Sequence, residues 1–388
     1  MKSQSQNTQT QQDSLLKFIR LFPTGTIHNP LPQSVLNSVQ GKAPLLRSVR
    51  VQVPSRLNTC FARLDNIVNP PQIGIVPANS LNITVACMTE ALVSLRDDDQ
   101  IVIEKPVDSR SEIARHAGLM MQKIFNPAQG FTISVENKHN IVHGGIASSS
   151  SLLVSVVAAI NHMYGDLIPK KSIVRFLAQN YGEESDRPGQ LVGIPSIGGT
   201  AATSFYGGGL VALMGEAEVK EHMKLPENLG IYLLRKKMKP ISALEEADAH
   251  LGVGNMAEYA KMLFSWGQTH GKHMEEVIYP NIILPAMAKG DLKTVGDTIF
   301  KYTLGEYGDI TEFYGFKWKA EQPTLAEDIL SLKELQQDAN VVAAFVSSIG
   351  PSIVVLSYDP KPVREFVERH QFDYLDEFKP DNIGVQYL

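Results

Sequence analysis

The chain has 388 residues, 43% hydrophobic and 20% charged, with a formal net charge of −5. That length suits two domains that each bury a core, and the acidic balance argues against nucleic-acid or anionic-membrane partners. Two cysteines, Cys60 and Cys87, match no metal spacing, and no charge-free apolar run reaches the ~18 residues of a membrane span.

The N-terminal MKSQSQNTQTQQDS lacks the apolar stretch of a secretory signal. It reads as a disordered tail over residues 1–14 of a cytoplasmic protein. Residues 15–46 read as an extension packed on the main body. In SVRVQVPSRLNTCFARL, Val49, Val51 and Val53 alternate up to Pro54, which predicts a strand, a turn at the proline and a second strand. Further strands are expected at 81–88, 100–107 and 130–138. Between the last two, Ile113, Leu119, Met120 and Ile124 share one helical face over 110–125, with Asp108 or Ser109 as the cap. Residues 152–164 are apolar nearly all round, so that helix is buried. Another helix covers 169–185, with Pro169 near its start. Residues 193–213 are rich in small residues and end in a strand.

The pattern changes after GEAEVKEHMKLPEN. A strand at 229–237 ends in Arg235, Lys236 and Lys237. Helices follow at 245–267, 271–289, 291–304 and 325–338, strands at 341–346 and 352–358, and a helix at 360–370. Strands precede helices in both halves, so two α+β domains meeting near residue 220 are expected.

Three segments suit an anion. In HNIVHGGIASSSSLLVSV, glycines and serines run into the start of a helix, where backbone N–H groups are unpaired and carry positive partial charge. It is no P-loop, because no G-K-[ST] follows. PSIGGTAATSFYGGG (195–209) and VSSIGPSIVVLS (346–357) supply two more Gly/Ser/Thr-rich turns. Each could equally be a plain turn or cap.

The order of these segments resembles the GHMP kinases, the superfamily of galactokinase, homoserine kinase, mevalonate kinase and phosphomevalonate kinase. Gly145-Ile146-Ala147-Ser148-Ser149-Ser150 is similar to their G-L-G-S-S-A loop. The kinases carry a catalytic Asp in a segment P-S-G-x-D. Here Pro195 and Ser196 are followed by Ile197, Gly198 and Gly199, and no carboxylate stands where that Asp would be; nearby Asp186 is a possible substitute. Within the superfamily, PSRLNTCFARLD (54–65), HGGIASSSSLLVSV (143–156), SIGGTAATSFYGGGLV, ILPAMAKGDLKTVGD (283–297) and SSIGPSIVVLS resemble the β-ribofuranosylaminobenzene 5′-phosphate synthase branch, which includes C-nucleoside synthases. Asn58 stands for that branch's His, and Ala147 and Ser149 for glycines.

The resemblance implies an α+β, two-domain GHMP kinase-like fold. Residues 1–46 would be tail and extension. Residues 47–220 would form an N-terminal domain with a left-handed-type β-α-β, ribosomal protein-like sandwich, and 221–388 a C-terminal α/β sandwich. The implied enzyme is a decarboxylating C-glycoside synthase of the glycosyltransferase class. It would join phosphoribosyl pyrophosphate to an aromatic or heteroaromatic carboxylic acid, releasing pyrophosphate and carbon dioxide, and work as a homodimer. Loss of carbon dioxide would supply the electrons, so no strong base is required. Pyrophosphate would lie on Gly144, Gly145, Ala147, Ser148, Ser149, Ser150, Gly198, Gly199, Thr200, Ser347, Ser348 and Gly350. Arg56, Asp65 and His143 are the candidate catalytic residues, although His143 reads more as a hydrogen-bonded structural histidine than as an acid. Mg²⁺ would bridge the phosphates, with Glu183 or Glu184 as ligands. An ATP-dependent small-molecule kinase is the alternative, and an inactive ligand-binding relative a further one. His270 and His273 share a helical face but lack a third ligand for a metal.

Overall fold

The computed structural model describes residues 21–68, 77–105, 110–137, 139, 141, 145–185, 187–194, 196–237, 256–319, 321–348 and 350–388. The tail, the expected caps Asp108 and Ser109, His143, Gly144, Asp186 and Pro195 lie outside them.

A seven-stranded mixed sheet organises the first half. It contains β2 (Ser48–Phe61), β3 (Ser80–Leu95), β4 (Ile101–Lys105), β5 (Phe131–Asn137), β8 (Leu210–Met214), β9 (Glu218–Met223) and, from the chain's end, β14 (Gln386–Tyr387). Only β4 and β5 run parallel, and they are joined through the helix Ser111–Phe125.

Pro54 does not turn the chain, contrary to the sequence expectation. β2 runs through it as one strand of 14 residues. The pairing with β3 slips between Pro54 and Ser55, and a proline, lacking an N–H, is tolerated at such an irregularity. The slack in β3 is taken up by the C-terminal segment, since the Ala86 N–H donates to the Lys379 carbonyl at 2.9 Å. The ribbon thereby serves two cores. Val49, Val51 and Val53 pack with the helices Ser111–Phe125 and Ser148–Met163. Leu57, Cys60 and Phe61 pack with the second half. There β10 (Gly230–Arg235), β11 (Val341–Val346), β12 (Ile353–Ser357) and β13 (Tyr374–Phe378) form an antiparallel sheet in the order β11-β12-β10-β13.

The expected helix over 169–185 stops at Gln179 and gives way to β6 (Gly182–Glu184). β6 joins β7 (Gln190–Gly193) and β1 (Leu21–Pro23) in a small sheet, so the extension is tied into the body. Its anchor is His116, which is fully buried. The Gly25 N–H donates to His116 Nδ1 at 2.8 Å, and Nε2 donates to the Asn180 carbonyl at 2.9 Å. Accepting at Nδ1 requires the neutral ring, and burial pushes its pKa down to about 4. The helix expected at 325–338 is broken into Leu325–Ser331 and Lys333–Gln336, and one expected at 271–289 contains a π-helical stretch, Met274–Ile283.

One consequence is acid lability. The unfolded chain protonates this histidine near pH 6.5 while the folded chain resists until about pH 4, so stability falls as pH drops through that window, by roughly 3 kcal/mol. Urea titrations from pH 7 to 4 should show this loss, and His116→Gln should flatten it.

Candidate active site

The loop before the helix Ser148–Met163 adopts left-handed backbone at Gly145 (φ 66°) and at the N-cap Ala147 (φ 60°). Such a conformation costs a non-glycine residue on the order of 1 kcal/mol. Ala147 offers no capping side chain, so the first-turn N–H groups are left for another acceptor. Ser148 and Ser149 are buried at this end.

Two hydrogen bonds fix the loop from outside, and a third joins the two elements that supply them. The Arg56 N–H of β2 donates to the Ile146 carbonyl at 3.3 Å. Ser347 Oγ donates to the Gly145 carbonyl at 2.8 Å, and the Ser348 N–H donates to the Asn58 carbonyl at 3.0 Å. A Cβ on Gly145 would approach the Ser347 carbonyl oxygen to 3.0 Å, so a larger residue would pry the two turns apart. Ser347 and Ser348 thus hold the loop in place, and Tyr314 OH in turn donates to the Ser348 carbonyl at 2.9 Å. Gly350 lies against Trp318.

Gly198 caps the helix Gly199–Tyr206 in left-handed conformation (φ 75°), with Thr200 buried in the first turn. A Cβ on Gly199 would sit 2.5 Å from Asn82 Oδ1 and 3.4 Å from Arg56 Nε. The position of the missing carboxylate is therefore closed by an amide and a guanidinium. Asn58 Nδ2 donates to Asn82 Oδ1 at 2.9 Å, and Asn82 Nδ2 donates to Ser80 Oγ at 3.0 Å. Asn58 Oδ1 is buried and has no hydrogen-bond partner.

Beside the loop, Arg110 Nη1 donates to Ser148 Oγ at 2.5 Å. Arg110 also acts electrostatically on Glu184, which accepts from the Glu112 N–H at 3.3 Å. Burial, opposed by that N–H, holds the Glu184 carboxyl up at about 7. Its Oε2 and that of Glu112 are buried without partners. Glu183 instead faces Tyr181 OH.

Asp65 lies apart from these groups. Its carboxylate accepts from Arg63 Nε at 3.0 Å and Nη2 at 2.8 Å, and from Gln268 Nε2 at 2.6 Å. That ring fastens the end of β2 to the second-half helices. Arg235 pairs with Asp376 at 2.7 Å and Lys236 with Asp328 at 2.7 Å. No cluster of three metal-ligating side chains occurs among the described residues, and none of their helices is long and apolar enough to cross a membrane. Arg110 and Asn82 carried no sequence signal, being polar residues in ordinary surroundings.

Residues 111–194 match the family model described as the GHMP kinases N-terminal domain. Solved structures cover nearly the whole chain. A homoserine kinase from Cytophaga hutchinsonii is similar at TM-score 0.54 and 15% identity, over 89% of this chain and 99% of its own. The galactokinase of Lactococcus lactis, solved with galactose, is similar at 0.59 and 13%, over 88% and 95%. The fold is that of the GHMP kinases. A third structure of this fold, MDDEF in complex with MVAPP, AMPPCP and magnesium, is similar at 0.53 and 14%, over 88% and 98%. No curated protein matches the chain by sequence.

These neighbours correct the synthase expectation. The structures that the chain resembles along its length include kinases acting with the same GHMP fold. The decarboxylating glycosyltransferase reading is withdrawn, with its phosphoribosyl pyrophosphate and aromatic carboxylic acid partners.

The Glu184 geometry gives a second pH prediction. The folded chain keeps this proton up to about pH 7 while the unfolded chain loses it near 4.5, so stability falls as pH rises through that range, by roughly 3 kcal/mol. Without added metal, Glu184→Gln should match the wild type near pH 4 and exceed it in denaturation midpoint at pH 8.

Proposed function

We propose that the chain is an ATP-dependent kinase of a small hydroxyl-bearing metabolite. The observation that carries this reading is the uncapped turn at Ala147–Ser150, framed by Gly145, Ser347 and Arg110. Unpaired N–H groups at the start of a 16-residue helix attract phosphate oxygens, and the kinase neighbours support assigning those oxygens to a nucleotide.

In this reading the N–H groups of the loop and first turn, with the hydroxyls of Ser148, Ser149 and Ser150, hold the nucleotide phosphates. Arg110 orients Ser148 and adds positive charge. The acceptor hydroxyl approaches from the side of Gly199, Asn82 and Arg56. Its oxygen bonds to the γ-phosphorus as the bond to the β–γ bridging oxygen breaks, and ADP leaves. With no carboxylate at position 199, the hydroxyl proton leaves to solvent or to a phosphoryl oxygen. Catalysis then rests on positioning and charge stabilisation, which suffice for much of a loose phosphoryl-transfer transition state.

Mg²⁺ fits the residues present. The Oε2 atoms of Glu184 and Glu112, without partners among the described residues, are hard oxygen donors, and Arg110 links Glu184 electrostatically to the Ser148 end; Glu184 becomes anionic once a cation offsets its burial. Bound there, the ion would supply charge neutralisation to the phosphates.

Incubation with ATP, Mg²⁺ and a panel of hydroxyl-bearing metabolites should release ADP only in the presence of an acceptor. Arg110→Gln should lower kcat/KM by about ten- to a hundredfold, with the fold unchanged by circular dichroism. Tight nucleotide binding with no turnover on any acceptor would instead support an inactive ligand-binding relative. Failure to bind ATP at all would overturn the proposal.

A further inference from the structure

We propose that the C-terminal segment Lys379–Val385 is a clasp that positions the acceptor side of the site, with Asp381 and Asn382 as its positioning residues. The clasp rests on the kinase reading for its effect on catalysis, and on the chain's own contacts for its existence.

The motif PSIGGTAATSFYGGG ends in a glycine run that no phosphate contact employs. Gly207, Gly208 and Gly209 all stand at positive φ, 63°, 99° and 77°, and three such residues in succession favour glycine. The C-terminal segment lies on them. A Cβ on Gly207 would collide with the Ile383 carbonyl oxygen, and one on Gly209 with Asn382 Oδ1. The Gly208 N–H donates to the Asn382 carbonyl at 3.3 Å. From the other side, a Cβ on Gly384 would collide with the Ser204 carbonyl oxygen. The run is therefore a seat for backbone, and it admits the segment because both surfaces lack side chains there.

The same segment completes β3. Away from β2, β3 pairs with β8 through Ser80–Ile83 and with β5 through Thr89–Leu95. Between those stretches Pro380 bridges Val85, and the Asp381 N–H donates to the Thr84 carbonyl at 2.9 Å. Two side chains hold the segment in shape. Asp381 Oδ1 accepts from the Ile383 and Gly384 N–H groups at 3.0 and 2.6 Å. Asn382 accepts from the Leu225 N–H and donates to the Leu225 carbonyl, both at 2.9 Å.

Both attachments lead to the acceptor side. Thr84 stands opposite Arg56 in the β2–β3 register, and Asn82 stands opposite Asn58. The Val385 N–H donates at 2.8 Å to the Ser204 carbonyl, in the last turn of the helix Gly199–Tyr206. Carbonyls in that turn have no partner within the helix. Eight helical residues form a stiff rod about 12 Å long, so holding its end aims its start, Gly199, at Asn82 and Arg56. A misplacement of about 1 Å at a reacting group can cost about a hundredfold in rate.

Hydrogen exchange on the intact chain reads the clasp without reference to activity. In Asp381→Ala and Asn382→Ala, the amides of Thr84 and of residues 202–207 should exchange about tenfold faster, while those of the helix Ser148–Met163 stay within about twofold. Kinetics reads the consequence. With an acceptor that the wild type phosphorylates, the acceptor KM should rise about tenfold in both variants and the ATP KM should stay within about twofold. Asp381→Asn, which keeps an oxygen for both N–H groups, should restore exchange and KM toward wild type. Unchanged exchange over 202–207 overturns the clasp. Faster exchange throughout the chain, or equal rises in both KM values, overturns the positioning role. If exchange responds as expected but the wild type phosphorylates no acceptor, the clasp stands and the kinase reading fails.

Discussion

The candidate site depends on one constraint: the first turn of the helix Ser148–Met163 has no side-chain cap and is held from outside. A side-chain cap would satisfy its N–H groups and close them to an outside acceptor. The chain avoids this with Ala147 in left-handed conformation, and fixes the loop from outside instead. Ser347 holds the Gly145 carbonyl, and Ser348 ties in β2 at Asn58. Two regions some 200 residues apart in sequence are therefore joined, so the Gly/Ser loop keeps its shape only when the late turn is folded against it.

The same economy runs through the rest of the site. Among the described residues, Arg56, Asn58, Glu112 and Glu184 each present a buried polar atom without a partner. Such orphans destabilise a folded protein. Glu184 shows the trade most directly, since its burial opposes the charge that a cation would need. The N-terminal extension stabilises this arrangement at a distance: β1 pairs with β7, and β7 with the strand that carries Glu184.

Much of the fold was legible in local pattern. The strand at 341–346 and the helix at 360–370 appear within a residue of expectation. Pro54 was misread because a turn and a slipped register look alike in sequence. Only the Lys379 segment, more than 300 residues later, makes the slip tolerable. The Gly/Ser loops were recognisable by composition, and Gly145, Ser347 and Gly199 do meet around Arg56. Arg110 and Asn82 were invisible, since their roles come from long-range neighbours rather than from spacing. The synthase activity was misread because short glycine and serine motifs describe how a backbone approaches an anion, and do not say which reaction follows.

The central claim is that the turn at Ala147–Ser150 seats nucleotide phosphates. Its most direct test is a structure of the protein with Mg²⁺ and a non-hydrolysable ATP analogue. The account predicts phosphate oxygens on the backbone N–H groups of the loop and first turn, with Arg110 and Glu184 alongside. A nucleotide bound elsewhere, with that turn left to water, would contradict it.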